Sequence, residues 1–458
     1  MVLSPQPLSP LDGRYHAAVA EIGEHLSEAG LNRARVHVEI EWIIRLVDEG
    51  LFGATLSADE RLGLRDVASN FSDADVARIA QLEATTQHDV KAVEYLVREH
   101  LEKLGLSRLA ELTHFACTSE DINNLAYGIT LGSAVREVWR PAMVALMEDL
   151  TALARAERDT PMLSRTHGQP ATPTTFGKEI AVFVHRLTRL LDSIDSVRLS
   201  GKFSGATGTF SAHVAAAPDV DWIRVSHDFV ESLGLDWNPL TTQIEPHDNQ
   251  AALLTRISHV NRVLHNLCTD MWTYISLGFI TQIPVAGTTG SSTMPHKVNP
   301  IRFENAEANL EIASALGDAL AATLVTSRLQ RDLTDSTTQR NLGVALGHSL
   351  LAVTNIRQGL TQIAVDHAAL SDDLGANLEV LGEAIQTVLR AERAAGTTTI
   401  DNPYELLKEL TRGKRLTEQG LRAFIEGLEM SEDGKARLLA LTPATYIGHA
   451  SKLVDYLR

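Results

Sequence analysis

Residues 290–300 read Gly290-Ser291-Ser292-Thr293-Met294-Pro295-His296-Lys297-Val298-Asn299-Pro300, which puts hydroxyls, a cation and an amide in one short loop. Such groups donate hydrogen bonds to carboxylate or phosphate oxygens, so the loop suits an anionic substrate better than a core. Gly287 and Gly290, with Thr288 and Thr289 between them, give the backbone the freedom of a closing lid. Asn299 is a favourable N-cap and Pro300 a favourable first helical residue, which brings the positive end of a helix dipole to the loop. Capping explains Asn299 and Pro300. It leaves Ser291, Lys297 and the glycines for chemistry.

Four more polar clusters lie at helix ends or in loops. Thr85-Thr86-Gln87-His88-Asp89-Val90-Lys91 reads as a polar helix start or as a set of ligands. In Thr113-His114-Phe115-Ala116-Cys117-Thr118-Ser119-Glu120-Asp121, Thr118 and Asp121 have capping-box spacing, which makes no use of Ser119 or His114. In Ser164-Arg165-Thr166-His167-Gly168-Gln169-Pro170, the histidine precedes a glycine in a short break between long helices, so it can be structural or catalytic. In Arg328 to Asn341, Ser336 and Gln339 again have capping-box spacing at a helix start. Arg331 and Arg340 near such a start would hold a phosphate, or they are surface arginines around a capped helix. The run Gly201-Lys202-Phe203-Ser204-Gly205-Ala206-Thr207-Gly208 lacks the Gly-Lys-Ser/Thr ending of a P-loop and is expected to form a tight connection beside the site.

Long helices must position these clusters. From Ala251, apolar residues Leu253, Ile257, Val260, Leu264, Leu267, Met271 and Ile275 recur at three- and four-residue steps. Comparable patterns cover roughly 123–157, 174–199, 301–327 and 337–364, each longer than a usual globular helix. They predict an all-α protein with a central bundle over 112–365, an N-terminal domain of shorter helices over 1–111 and a small helical domain over 366–458. No sheet is expected, although short hairpins fall below what this pattern resolves.

The 458 residues are 44% hydrophobic and 22% charged, an ordinary globular balance. A net charge of -17 excludes a general nucleic-acid binder while leaving room for a small anionic ligand held by local cations. Cys117 and Cys268 are the only cysteines, and the seventeen histidines show no paired ligand spacing, so neither disulfide nor metal is expected. Neither a signal peptide nor a membrane-length apolar run is legible, so the expected location is cytoplasmic and away from membranes.

The 290–300 string resembles the loop that marks the fumarase/aspartase superfamily of lyases. Continued through Phe303-Glu304-Asn305, and joined by Thr85 to Tyr95, Thr242-Gln243-Ile244-Glu245 and Arg328 to Asn341, it resembles the adenylosuccinate lyase family in its longer bacterial form. Gln87, Thr209 and Phe210 depart from the pattern of that form.

The resemblance implies three helical domains, a homotetramer with active sites shared between subunits, and no cofactor. It also implies release of fumarate from adenylosuccinate and from succinylated aminoimidazole carboxamide ribotide. Ser291 would be the general base and His167 the general acid. Lys297 and Asn299, with Thr118 and Ser119, would hold the succinyl carboxylates; His88, Asp89 and Gln243 would orient the substrate. Arg14, Tyr15, Arg331, Ser336 and Arg340 would serve the nucleotide end. A sister enzyme such as argininosuccinate lyase would need no phosphate ligands. A non-catalytic scaffold would be expected to lose Ser291, His167 or Lys297, and all three are present.

Overall fold

In a computed structural model, the described residues are 6–284, 294, 297–411 and 416–457, without the side chains of 409–411. The chain is mostly helical, and all five expected long elements are present. The first continues from Ser119–Ser133 through a π-helical turn, Ala134–Trp139, into Arg140–Ala156. The others are Phe176–Asp195, Asp248–Ser276, Ile301–Leu324 and Leu342–Leu360. The last begins later than its pattern suggested, because Thr334–Gln339 forms a separate six-residue helix. Among the described residues, no helix is long and apolar enough to cross a membrane.

The fold divides into two compact units, each assembled from three stretches of chain. One comprises Met1–Val144, Arg189–His265 and Asn305–Asn355; the other comprises Ala145–Thr188, Asn266–Glu304 and Ile356–Arg458.

In the second unit, helices shorten after residue 366 as expected, running Gly382–Ala395, Glu418–Glu426 and Glu432–Ala440. Their apolar faces bury Leu381, Ile385, Leu389, Leu421, Ile425 and Leu438 in one cluster. Between Arg140–Ala156 and Phe176–Asp195 the chain folds into nested antiparallel pairs, Pro161–Met162 with Thr174–Thr175 outside Arg165–Thr166 with Gln169–Pro170. Ile280–Gln282 pairs antiparallel with Ile363–Val365. These two- and three-residue strands are too short to show the period-2 alternation by which a strand is read.

In the first unit, Glu28–Asp48 is a 21-residue helix, longer than expected of residues 1–111. It buries Val36, Ile40, Trp42, Ile43 and Leu46, but also Arg35 and Glu39, both 0% exposed. Those inward charges interrupt its apolar pattern and hide its length. Elsewhere, Trp139 donates to Ser349 Oγ at 2.9 Å and Ser349 donates to Asn261 Oδ1 at 2.7 Å, a buried chain joining three long helices. At Gly317 a Cβ would stand 2.6 Å from Ser258 Oγ, so glycine permits the close approach of Ile301–Leu324 to Asp248–Ser276.

Trp42 packs on Phe203 and Phe229 with ring centroids 4.3 and 5.1 Å apart, and His213 meets Trp222 at 4.9 Å. His213 is 1% exposed and neither ring nitrogen has a hydrogen-bond partner. Burial pushes its pKa down to about 4. Above about pH 6.5 the ring is neutral whether the chain is folded or not. As pH falls from there towards 4, only the unfolded chain takes up the proton, and folding loses up to about 3 kcal/mol. His213→Phe should flatten that loss: between pH 6.5 and 4.5 the urea unfolding midpoint should fall less than in the native chain. An equal fall would show that His213 does not set it.

Candidate active site

The Thr113–Asp121 cluster is organised by Asp121. Its carboxylate accepts from the Thr118 N–H at 2.8 Å, the Ser204 N–H at 2.9 Å and the Gly205 N–H at 3.1 Å. The Lys202 ammonium lies 2.8 Å away, and both side chains are 0% exposed. Lys202 also donates to the Gly205 carbonyl at 2.9 Å. The expected capping box of Thr118 with Asp121 is therefore real, and the same carboxylate fastens the glycine-rich run to the helix start carrying Thr118 and Ser119. At Gly208, φ is 76° and a Cβ would fall 2.3 Å from the Thr241 carbonyl, so only glycine lets the run pass the 241–242 segment.

The run in turn places an amide and a guanidinium. Gln243 donates to the Ala206 carbonyl at 3.0 Å and accepts from Arg331 Nη1 at 3.1 Å. Arg331 also lies 2.9 Å from Glu120 Oε1, a carboxylate 2% exposed. Burial raises the pKa of Glu120, opposed by Arg331 and by Asn123, which donates to Oε1 at 2.8 Å.

A second guanidinium is held near Asp89. Arg340 Nη1 donates to the carbonyl and the hydroxyl of Ser336, at 3.2 Å each, and Nη2 donates to Asp89 at 3.0 Å. The buried Arg35 donates to the same Asp89 oxygen at 2.8 Å. Burial opposes ionisation of Asp89, yet Arg35, the Val90 N–H and Arg340 together hold its pKa below the usual carboxylate value. His88 caps the Asp89–Lys103 helix, its Nδ1 accepting from the Lys91 N–H at 3.3 Å, with an exposed ring.

One capping expectation is corrected. Ser336 lies inside Thr334–Gln339, whose N-cap is Leu333, and Gln339 turns inward to donate to Gln250 at 3.0 Å. The spacing of a capping box and that of an inward-facing amide are the same in sequence. Ile301 is the first residue of its helix, and the Pro300 carbonyl accepts from the Glu304 N–H at 3.3 Å.

Gln243 with Arg331, and Asp89 with Ser336 and Arg340, are thus brought into contact within the first unit, where Thr118, Ser119 and His88 also lie. Arg14 and Tyr15 make other contacts: the Tyr15 hydroxyl accepts from Asn305 at 3.1 Å, and exposed Arg14 stands 5.8 Å from the Tyr15 ring centroid. In the second unit, His167 and Gly168 form the two-residue turn between Arg165–Thr166 and Gln169–Pro170, with φ of 53° and 74°. Positive φ at both positions is what a type I′ hairpin turn demands, and it leaves the imidazole exposed at the tip. Arg165 braces the hairpin through Asp373 at 2.7 Å. Lys297 is exposed and Asn299 half-buried. Ser291 lies outside the described residues, as do Gly287, Thr288, Thr289 and Gly290.

The residues that the sequence did not single out are the buried ones: Arg35, Glu120, Asn123 and Lys202. Lys202 and Glu120 stand inside noted clusters, but nothing local distinguishes a buried charge from a solvated one. Among the described residues, no group of three histidine, cysteine or acidic side chains could hold a metal ion.

Residues 13–314 match the family model described as Lyase, and residues 327–447 match that described as Adenylosuccinate lyase C-terminal. A fumarate lyase structure from Mesorhizobium superposes with a TM-score of 0.75 at 19% identity, covering 96% of this chain and 97% of that one. A 3-carboxy-cis,cis-muconate lactonizing enzyme from Pseudomonas putida gives 0.74 at 22% identity, covering 97% of each. At such identities the likeness speaks for the fold alone. Fold and family model together define a helical lyase. The adenylosuccinate lyases of Haemophilus influenzae and Escherichia coli K12 are each 47% identical to the chain over 453 and 454 residues, 98% of both partners. That of Dictyostelium discoideum is 44% identical over 453 residues, 96% of each chain. The chain belongs to the adenylosuccinate lyase family.

The Asp121–Lys202 pair offers a direct test of how the site is held. Lys202→Met leaves a buried carboxylate without its cation and should destabilise the fold by about 3–5 kcal/mol, read as a lowered urea midpoint. An unchanged midpoint would mean the backbone N–H donors satisfy Asp121 unaided.

Proposed function

We propose that the chain acts as a carbon–nitrogen lyase in purine biosynthesis. It releases fumarate from adenylosuccinate, leaving AMP, and from succinylated aminoimidazole carboxamide ribotide. Likeness to adenylosuccinate lyases along almost the whole chain supports this. The geometric observation that carries it is the pair of guanidinium groups, Arg331 beside Gln243 and Arg340 beside Ser336, in one unit of the fold. Such donors suit a nucleotide phosphate as they suit a carboxylate, and the likeness to adenylosuccinate lyases is what favours the nucleotide.

In this reading Ser291 removes a proton from the carbon beside a succinyl carboxylate. The electron pair forms the new double bond as the carbon–nitrogen bond breaks, and His167 protonates the departing nitrogen. Negative charge accumulates on the adjacent carboxylate before that bond breaks, so Lys297, Asn299, Thr118 and Ser119 stabilise the transition state more than the substrate. Each proton transfer contributes about 10²–10⁴-fold. A serine base requires a strongly stabilised alkoxide, which backbone N–H groups, Lys297 and exclusion of water on lid closure would supply. His88, Asp89 and Gln243 orient the substrate, and Arg14, Tyr15, Arg331, Ser336 and Arg340 take its nucleotide end. No metal or cofactor enters, because proton transfer and charge stabilisation by side chains account for every step. A homotetramer with active sites shared between subunits, a cytoplasmic location and the segmentation into 1–111, 112–365 and 366–458 belong to the same proposal.

Ser291→Ala should lower kcat at least about 100-fold while leaving KM for adenylosuccinate little changed. A fully active variant would remove Ser291 from the mechanism. Arg331→Ala should raise KM about 10- to 100-fold, the range for a hydrogen bond to a charged group. An unchanged KM would sink the phosphate assignment.

A further inference from the structure

An arginine has five N–H donors. Arg331 Nε donates to the Asp332 carbonyl at 3.3 Å and Nη1 to Gln243 at 3.1 Å, while Nη2 lies 2.9 Å from Glu120. Two of the five are in hydrogen bonds and Nη2 stands in an ion pair, so donors remain for a phosphate or carboxylate. The direction in which those donors point depends on the groups that hold the guanidinium.

Of these holding groups, Glu120 alone carries charge, and it is itself built in. It lies in the first turn of Ser119–Ser133, where the helix dipole favours an anion, and is 2% exposed. Asn123 donates to its Oε1 at 2.8 Å, Arg35 Nε donates to Asn123 Oδ1 at 2.9 Å, and Arg35 Nη2 donates to Asp89 at 2.8 Å. Asp89 then accepts from Arg340 at 3.0 Å. One path of buried and half-buried polar groups therefore joins the two arginines, with Glu120 at one end, Asp89 at the other and Arg35 between them. Stability gives little reason for a buried ion pair, since loss of hydration offsets most of its attraction. Fixed geometry does.

We propose that Glu120 is a positioning residue for the nucleotide end of the site, orienting Arg331 directly and tying it through Asn123, Arg35 and Asp89 to Arg340. This rests on the reading of Arg331 as a substrate ligand. Glu120 touches no reacting atom in this scheme. It acts by holding a guanidinium whose free donors receive the phosphate, so its loss should weaken binding and spare the chemical step.

The test is a double-mutant cycle in steady-state kinetics with adenylosuccinate. Glu120→Gln keeps the shape and removes the charge; it should raise KM about 10-fold with kcat within about 3-fold. In an Arg331→Ala background the same change should have almost no further effect, because the residue through which it acts is gone. A purely structural role would lower kcat or add its full effect in both backgrounds, and either result overturns the proposal. So does an unchanged KM for Glu120→Gln when Arg331→Ala alone raises it. If Arg331→Ala leaves KM unchanged, it is the phosphate assignment that fails, and the positioning proposal falls with it. Should Glu120→Gln fail to fold, Asn123→Ser removes the donor behind Glu120 and should raise KM about 3-fold at unchanged kcat; no change in KM would overturn the proposal equally.

Discussion

A carboxylate and an ammonium wholly withdrawn from water meet at 2.8 Å where Asp121 faces Lys202. Neither charge is tolerable there alone, so each fixes the other, and the backbone N–H groups of three further residues converge on the same carboxylate. From this joint the rest follows outward. The start of Ser119–Ser133 is tied to the glycine-rich run, the run holds Gln243, and Gln243 holds Arg331. Behind Gln243 and Arg331, the proposed substrate ligands, stand Glu120, Asp121 and Lys202, all closed to water.

Buried charge recurs as the means of construction in this unit. Arg35 bonds Asn32, Asn123 and Asp89, and Glu39 accepts from the ring and the backbone N–H of His114, at 2.6 and 2.9 Å. His114 itself has a positive φ of 56°, a backbone state that such fixed contacts sustain. The second unit works differently: His167 rides on a hairpin turn whose backbone geometry, rather than any buried partner, presents the ring. The proposed nucleotide-end residues Arg331 and Arg340 thus stand on a frame of buried polar groups, while the proposed acid stands on a local turn that leaves it exposed.

The long helices were legible because their apolar residues recur every three or four positions, as Leu253 to Ile275 do. The polar clusters were legible because hydroxyls, amides and cations at helix ends serve no core. Glu28–Asp48 was underestimated for the converse reason: Asn32, Arg35 and Glu39 occupy inward positions that hydropathy assigns to solvent. Ser336 and Gln339 misled because spacing alone does not say whether an amide turns back to cap a helix or inward to Gln250. The side-chain partners of Arg331 lie more than eighty residues away in sequence, and no local pattern links Glu120 or Gln243 to it.

The most direct measurement follows ultraviolet absorbance when purified protein meets adenylosuccinate, with AMP and fumarate quantified in the product. Equimolar AMP and fumarate, formed at a catalytic rate, are the expected result. No turnover of adenylosuccinate, with cleavage of argininosuccinate or aspartate under the same conditions, would contradict a nucleotide-specific lyase and move the chain to a sister activity.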